Sequence, residues 1–270
     1  MYKLIFSDLD ETLLVEHHVP MGNQKAIATL KDKNVKFIVA TGRAFNMIGE
    51  ILQEVGTYEK ENEYSICFNG GLIVENKDSK VLRFNGLSFD LAKQLFDKGR
   101  DLDVCTLIFT LDCCYIFHAD PNEVQRKTDQ KANFKVLDEY NMDFLKDDKI
   151  AKILFEKRDM DYLKEISVDL INEFDENVSF TFSSNRYLEM NKKGVNKGEA
   201  IHWLSDYLHV DIQDTIAIGD NYNDVSMMEE AGLGVCVSSS TQDIKDLCDY
   251  VTTVDYGDCA VAEVIERFIK

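Results

Sequence analysis

Proline is almost absent from this chain of 270 residues, which has only two, and no stretch is rich in Gly, Ser or Pro. Such stretches form linkers and disordered segments, so their absence indicates an ordered, globular chain. No window approaches the roughly 18 consecutive apolar residues of a membrane span. The N-terminus has only Lys3 before a short apolar run and lacks the apolar region of a secretory signal. We therefore expect a cytoplasmic protein that does not associate with membranes.

Positive charge is scarce as well. The chain has 30 Lys and Arg against 49 Asp and Glu, which gives a net charge of -19. This balance disfavours nucleic acid and anionic membranes as general partners, so any phosphate binding must be local. At 270 residues, the chain exceeds the usual domain size of about 100 to 150 residues. We expect one large domain or a core with a second lobe.

The seven cysteines form an odd set without CxxC pairs. The adjacent Cys113 and Cys114 fit neither a zinc knuckle nor a disulfide framework, so we interpret the seven cysteines as small buried apolar residues in a reducing compartment. The five histidines are scattered, and the adjacent His17 and His18 cannot share one helix face as metal ligands would. We assign no chemistry to either residue type.

Strands and helices alternate at both ends of the chain. Apolar strands are predicted at 2–7, 35–40, 64–71 and 214–220, with helices near 24–33 and 44–55 and another through Met227 and Met228. This alternation is typical of an α/β, Rossmann-like parallel sheet with helices on its faces. Ligands bind such sheets at the carboxyl ends of the strands, where Asp8, Thr41 and Asn69 lie.

The middle of the chain has a different pattern. Strands with short connections are predicted within 105–120, at 152–156 and at 177–183, with one helix near 161–174. Adjacent strands of this kind indicate an antiparallel α+β lobe. We therefore predict a discontinuous core, 1–83 and 187–270, interrupted by an inserted α+β domain, 84–186.

Four polar motifs follow predicted strands or begin predicted helices. They are Asp8-x-Asp10-x-Thr12, Thr41-Gly42-Arg43, Lys197 in GVNKGEA, and Asp220 with Asp224 in IGDNYNDVSMM. Carboxylates this close in sequence repel one another, and a divalent cation would compensate them. Mg²⁺ is favoured because every candidate ligand is an oxygen atom.

Together the motifs suit phosphoryl transfer, which depends on positioning and charge neutralisation. A hydroxyl and a backbone N–H at a helix N-terminus, as at Thr41 and Gly42, suit a phosphate group. Each motif alone also fits an ordinary turn, helix cap or surface lysine. The order of the motifs and their placement at strand ends therefore carry the prediction.

In their order, these motifs resemble the four motifs of the haloacid dehalogenase (HAD) superfamily. The fourth matching stretch is Gly219-Asp220-Asn221-Tyr222-Asn223-Asp224. The inserted domain, together with NGG and GVNKG, is similar to the Cof-type phosphatase branch (subfamily IIB), which has a large α/β cap. The resemblance spans essentially the whole chain and implies a phosphoric monoester hydrolase that forms an aspartyl-phosphate.

The resemblance also implies roles for the matching residues. Asp8 would be the nucleophile and Asp10 the general acid and then base, while Thr41 and Lys197 would complete the catalytic set. The residues implied in substrate binding are Thr41, Gly42, Arg43, Lys197 and Asn223. Those implied in holding Mg²⁺ are Asp8, Asp10 (through its backbone carbonyl), Asp220 and Asp224. Arg43 would contact the phosphate or pair with an acidic neighbour, and the sequence leaves both open.

Two expectations concern the first motif. Glu11 stands where the family commonly has glycine, and we expect its side chain to point outward. We also expect that its backbone does not need a positive φ, because a positive φ would strain a glutamate by about 1 kcal/mol or more. For Asp10, we expect packing against other carboxylates to raise its pKa, as a general acid requires.

The expected function is a Mg²⁺-dependent phosphatase of small phosphorylated metabolites, such as sugar phosphates or cofactor phosphates. We expect a monomer or weak homodimer, a cap that closes over the site, and specificity residues around 109–121. A phosphomutase on the same scaffold remains open. So does a regulatory binding module with a phosphorylated Asp8, although a base at Asp10 would hasten loss of that phosphate.

Overall fold

A computed structural model describes all 270 residues of the chain. The strands, in chain order, are β1 (Leu4–Ser7), β2 (Lys36–Ala40), β3 (Tyr64–Cys67), β4 (Leu72–Glu75), β5 (Lys80–Phe84), β6 (Cys105–Thr110), β7 (Cys114–Phe117), β8 (Phe134–Leu137), β9 (Ile150–Glu156), β10 (Val178–Ser183), β11 (Tyr187–Lys192), β12 (Thr215–Gly219), β13 (Leu233–Cys236) and β14 (Tyr250–Val251). The α-helices are α1 (Met21–Thr29), α2 (Gly49–Val55), α3 (Phe89–Lys98), α4 (Pro121–Asp129), α5 (Met160–Phe174), α6 (Lys197–Tyr207), α7 (Tyr222–Glu230), α8 (Gln242–Lys245) and α9 (Ala260–Phe268).

The chain divides into two compact units. The first consists of Met1–Phe84 and Asn196–Lys270, and the second of Asn85–Val195. The return to the first unit therefore follows Val195, whereas the sequence placed it after residue 186. The reason is β11, which pairs antiparallel with both β9 and β10 and so belongs to the second unit.

The first unit is built on an eight-stranded sheet in the order β14-β13-β12-β1-β2-β3-β4-β5. All pairs from β14 to β3 are parallel, and β4 and β5 extend the sheet antiparallel. The predicted α/β class with a Rossmann-like core is confirmed. Because β12, β1, β2 and β3 are neighbours and parallel, the residues that follow them lie along one edge of the sheet.

The central strands β1, β2 and β12 of this sheet are buried on both faces, as parallel strands covered by helices must be. Leu4 and Phe6 of β1 pack in one cluster with Ile38 of β2 and with Ile201 and Leu204 of α6. Each of these side chains contributes about 1.5–3 kcal/mol when it is fully buried. This packing fixes α6, whose first residue is Lys197, against the sheet.

Two predicted helices of the first unit are shorter than expected. The helix predicted at 24–33 is α1, which gives way to a 3₁₀ turn at Leu30–Lys33. The helix predicted at 44–55 is α2, preceded by a 3₁₀ turn at Phe45–Met47. Ile48 lies between that turn and α2 with φ −116 and ψ 6, which interrupts the helical hydrogen bonding. Glycine, at Gly56, ends α2 in the left-handed conformation.

The second unit contains a six-stranded sheet in the order β10-β11-β9-β6-β7-β8. Its pairs are antiparallel except β7 with β8. One core cluster joins Leu95 and Phe96 of α3 and Leu163 of α5 to Ile108 and Ile153 of the central strands. The predicted α+β character of the inserted segment is confirmed. None of the helices in either unit combines the length and apolar character needed to cross a membrane.

Candidate active site

The site begins where β1 and β12 end. The backbone N–H of Asp8 donates to the Ile218 carbonyl at 2.9 Å, which continues the ladder between the two strands to the first motif. Carboxylate oxygens of Asp8, Asp220 and Asp224 lie within 4.8 Å of one another. Asp8 and Asp224 are buried, with 6% and 0% of their surfaces exposed. The first and fourth motifs therefore form one carboxylate cluster.

Lys197 lies inside this cluster and is completely buried. Its Nζ contacts Asp8 Oδ1 and donates to Asp224 Oδ1 at 2.5 Å. The helix begins at Lys197 because the side chain of Asn196 caps it by accepting from the Glu199 amide at 2.8 Å. The third motif is thus joined to the first and fourth through one ammonium group.

Asp224 owes its position to α7 and to a missing side chain. Its Oδ2 accepts from the backbone N–H of Asp220 at 3.1 Å and of Asn221 at 3.2 Å, and the Asn221 side chain completes a capping box. A Cβ at residue 219 would lie 2.4 Å from the Cβ of Asp224. Gly219 is therefore required for the Asp224 carboxylate to turn back under the loop.

The cluster raises the pKa of its own carboxyl groups. Burial raises the pKa of Asp8 well above its ordinary value, and the Lys197 ammonium opposes this only in part. Burial and the neighbouring Asp224 charge raise the pKa of Asp220 from 3.8 to about 7. For Lys197, burial would lower the pKa, but the Asp224 and Asp8 carboxylates outweigh it and hold the pKa above its usual range. One ammonium does not neutralise this cluster.

These residues fit a hard divalent cation. The available donors are carboxylate oxygens, which Mg²⁺ prefers, and a cation would relieve the repulsion that raises their pKa values. Asp224 is already occupied, because both of its oxygens accept from protein donors. Asp8 and Asp220 are therefore better placed to coordinate an ion, with Asp224 fixing Lys197 and the Asp220 loop.

Asp10 does not join the cluster. Its carboxylate is 57% exposed and accepts two hydrogen bonds from Arg43, Nε to Oδ2 at 3.0 Å and Nη2 to Oδ1 at 2.5 Å. The expectation that Asp10 packs against other carboxylates is wrong, because its carboxylate packs against the Arg43 guanidinium instead. Of the two roles left open for Arg43, the structure shows the pairing with an acidic neighbour.

Glu11 is exposed, as expected, but its φ is +59. The expectation about its backbone is therefore wrong. The chain reverses tightly here, with the amides of Leu13 and Leu14 both bonded to the Leu9 carbonyl, and this turn places residue 11 in the left-handed region. Glycine adopts this region without strain, whereas Glu11 does not.

The second motif lies at the end of β2. Thr41 is buried, and its hydroxyl accepts from the Arg43 amide at 3.2 Å. The Asn69 amide donates to the Thr41 carbonyl at 3.0 Å, which brings the end of β3 to the same place. A Cβ on Gly42 would lie 3.1 Å from the Asn69 side chain, so Gly42 leaves room there.

Two residues without a predicted role also lie in the site. The Thr12 hydroxyl donates to Asp220 Oδ1 at 2.8 Å and is completely buried, so it orients that carboxylate. Asn69 Oδ1 lies 3.5 Å from the Nδ2 of Asn223, a predicted substrate residue. The signal for Asn69 in the sequence was its position at a strand end, but a role in the turn before Gly70 explained that position equally well.

Comparison with known proteins agrees with this geometry. A family model described as haloacid dehalogenase-like hydrolase matches residues 5–265. A putative phosphatase of Bacillus subtilis, YxeH, is 27% identical over 274 residues, covering 100% of this chain and 99% of that protein. The 5-amino-6-(5-phospho-D-ribitylamino)uracil phosphatase YcsE of the same organism is 26% identical over 268 residues, covering 99% and 96%.

A solved structure shares the fold along its whole length. It is a haloacid dehalogenase-like hydrolase from Bacteroides thetaiotaomicron, with a TM-score of 0.88, 24% identity and 99% of each chain covered. The family model spans nearly all of the sequence and includes the four motifs. The resemblance read from those motifs and the predicted hydrolase class are confirmed: the chain belongs to the haloacid dehalogenase-like hydrolases.

Proposed function

We propose that this hydrolase is a Mg²⁺-dependent phosphatase that cleaves small phosphorylated metabolites through an aspartyl-phosphate on Asp8. One observation carries the proposal: the buried Asp8 carboxylate contacts the Lys197 ammonium inside a carboxylate cluster at the strand ends. A buried anion with a fixed cationic partner is oriented for attack and is not shielded by bulk water. Both relatives described above are named as phosphatases.

Each step has a residue suited to it. One oxygen of Asp8 attacks phosphorus, and the bond from phosphorus to the leaving oxygen breaks. Asp10 supplies a proton to that oxygen and later takes one from the water that hydrolyses the acyl phosphate. Lys197 keeps Asp8 in one rotamer and offsets charge as the negative phosphoryl group approaches. Thr41, Gly42 and Asn223 are proposed to bind the phosphoryl oxygens.

Asp8 and Asp220 are the residues we propose to hold Mg²⁺, together with the backbone carbonyl of Asp10. When bound, the ion would neutralise charge on the phosphoryl oxygens. Thr12 fixes the orientation of Asp220 by its hydrogen bond at 2.8 Å. Asp224 acts through Lys197 and through the amides of Asp220 and Asn221, which it holds in place.

The substrate is proposed as a class and not as a compound. The sugar phosphates and cofactor phosphates favoured by the sequence remain the candidates. One relative is named for a phosphorylated ribitylaminouracil, a compound in the same size range. We propose that the second unit acts as the cap, and that the protein works as a monomer or weak homodimer. All seven cysteines are free thiols, which supports a reducing, cytoplasmic location.

Hydrolysis of p-nitrophenyl phosphate by the purified protein tests the function. We expect activity with Mg²⁺, loss of activity with a chelator, and loss of at least about 10³-fold in Asp8→Asn. Rapid quenching after mixing with ³²P-labelled acetyl phosphate should label the wild type and not Asp8→Asn. Asp161→Asn, whose side chain is 96% exposed, is the matched control and should retain activity.

Two results would change the assignment. Full activity in Asp8→Asn would remove the proposed nucleophile. A hexose phosphate converted to its isomer without release of phosphate would indicate a phosphomutase.

A further inference from the structure

Arg43 and Asp10 form a two-pronged ion pair beside the carboxylate cluster. The guanidinium donates from Nε to Oδ2 at 3.0 Å and from Nη2 to Oδ1 at 2.5 Å, so both oxygens of Asp10 are held. Such a pair fixes the plane of a carboxylate as well as its distance, which a lysine could not do. The Arg43 side chain is only 20% exposed, so the guanidinium that orients Asp10 is itself restrained by its surroundings.

The backbone of Arg43 is anchored on both sides. Its N–H donates to the Thr41 hydroxyl at 3.2 Å, and its carbonyl accepts from the Phe68 amide at 3.1 Å. Thr41 and Phe68 are buried residues at the ends of β2 and β3. The guanidinium therefore projects from the rigid edge of the sheet and not from a free loop.

Asp10, by contrast, lies in a turn that leaves its side chain exposed. The turn is closed through the Leu9 carbonyl, which accepts from the amides of Leu13 and Leu14 at 3.0 and 2.9 Å. Backbone geometry alone leaves several rotamers open to a half-exposed aspartate. Among the contacts of its carboxylate, the Arg43 fork is the one that selects an orientation outside the metal-binding cluster.

That orientation matters for the proposed chemistry. As the bond between phosphorus and the leaving oxygen breaks, a proton passes from Asp10 to that oxygen, and Asp10 becomes a carboxylate. In the second step the carboxylate takes a proton from water, whose oxygen attacks the phosphorus of the acyl phosphate and releases Asp8. A guanidinium fork matches the carboxylate formed between the two steps.

We propose that Arg43 is a positioning residue for Asp10, an inference that rests on the proposed function. Its fork holds the Asp10 carboxylate away from Asp8 and Asp220, so that this carboxylate exchanges protons with the leaving group and with water and does not become a metal ligand beside the Asp10 backbone carbonyl. The phosphate contact first considered for Arg43 is the competing role, and it makes a different kinetic prediction.

The test uses phenyl phosphates whose leaving groups range from p-nitrophenol to an unsubstituted phenol. The ratio kcat/KM reports the steps up to leaving-group departure, and a poor leaving group needs the proton that Asp10 provides. We expect Arg43→Gln to lower kcat/KM about 10²-fold for phenyl phosphate but no more than about threefold for p-nitrophenyl phosphate. Arg43→Lys, which keeps the charge without the fork, should lie between Arg43→Gln and the wild type.

Two further variants separate positioning from general damage. Adding Arg43→Gln to Asp10→Asn should cost less than about twofold beyond Asp10→Asn alone, because the two residues act as one unit. Arg83→Gln is the matched control: Arg83 pairs with Glu199 at 2.7 Å in the same unit, and its side chain is 24% exposed. Its effect should be equal across the substrate series.

An equal loss for all leaving groups in Arg43→Gln would overturn the proposal and assign Arg43 to the phosphate or to the fold. Faster turnover in that variant would overturn it too, since the pair would then restrain Asp10. So would a double variant whose loss is the product of the single losses. A wild type that releases no phosphate from any substrate would overturn the proposed function and this inference together.

Discussion

The charge cluster makes a quantitative prediction about stability without metal. In the folded protein, the pKa of Asp220 is about 7, compared with an ordinary value of 3.8. The fold therefore favours protonated Asp220, and the stability that this group contributes is present at low pH and is lost as the pH rises through 7. From those two values, the loss between pH 5 and pH 8 is about 2.5 kcal/mol.

Asp220→Asn should remove this dependence. Asparagine keeps the shape of the side chain and can still accept from the Thr12 hydroxyl, but it does not titrate. Removing the Asp220 charge also reduces the repulsion that raises the pKa of Asp8, and this change weakens the pH dependence further. In a chelator, the free energy of unfolding of the wild type should fall by about 2.5 kcal/mol relative to the variant between pH 5 and pH 8.

Urea unfolding in EDTA at pH 5, 6.5 and 8 is the assay. At pH 8, Mg²⁺ should raise the free energy of unfolding of the wild type much more than that of Asp220→Asn, because the ion binds the ionised carboxylate. Asp161→Asn, exposed and outside the cluster, controls for loss of an ordinary surface charge. Parallel pH profiles for the wild type and Asp220→Asn would refute the reasoning, since Asp220 would then carry no burial penalty.

Two other substitutions probe the same region. Lys197→Met removes the buried partner of Asp8 and Asp224 and should lower the free energy of unfolding at pH 8 by about 3–5 kcal/mol, measured by urea unfolding; a change below 1 kcal/mol would contradict the pairing. Glu11→Gly relieves a side chain at φ +59 and should raise the free energy of unfolding by about 0.5 kcal/mol, whereas a clear loss would show that the Glu11 side chain stabilises the turn.

The sequence was sufficient to predict which motifs meet, and the reason is topological. Parallel strands present their carboxyl ends at one edge, so Asp8 after β1 and Asp220 after β12 had to be near one another once those strands were neighbours. The position of Lys197 at the start of a helix was also predictable, because Asn196 is a strong cap. These features depend on local patterns and on one general rule about sheets.

What the sequence could not predict depends on side-chain geometry over long separations. Asp10 and Arg43 are 33 positions apart, and their pairing depends on two rotamers and on the turn that follows Asp10. Strand β11 was missed because its sequence, YLEMNK, mixes polar residues that are nevertheless buried, including Glu189, which pairs with Lys152 at 2.6 Å. Burying such a residue requires a partner that the local pattern does not reveal.

At Lys197, the free-energy cost of burying a cation is balanced by its pairing with buried carboxylates. A cation in the first turn of a helix opposes the helix dipole, at about 0.3–1 kcal/mol, and its complete burial costs several kcal/mol more. Asp8 and Asp224 offset these costs, but together with Asp220 they form a cluster of three carboxylates, which leaves the site with excess negative charge. A cation that binds this cluster relieves the repulsion, whereas the negative charge of a phosphate adds to it. We therefore expect Mg²⁺ to raise the midpoint of thermal unfolding by itself, and inorganic phosphate to raise it only when Mg²⁺ is present.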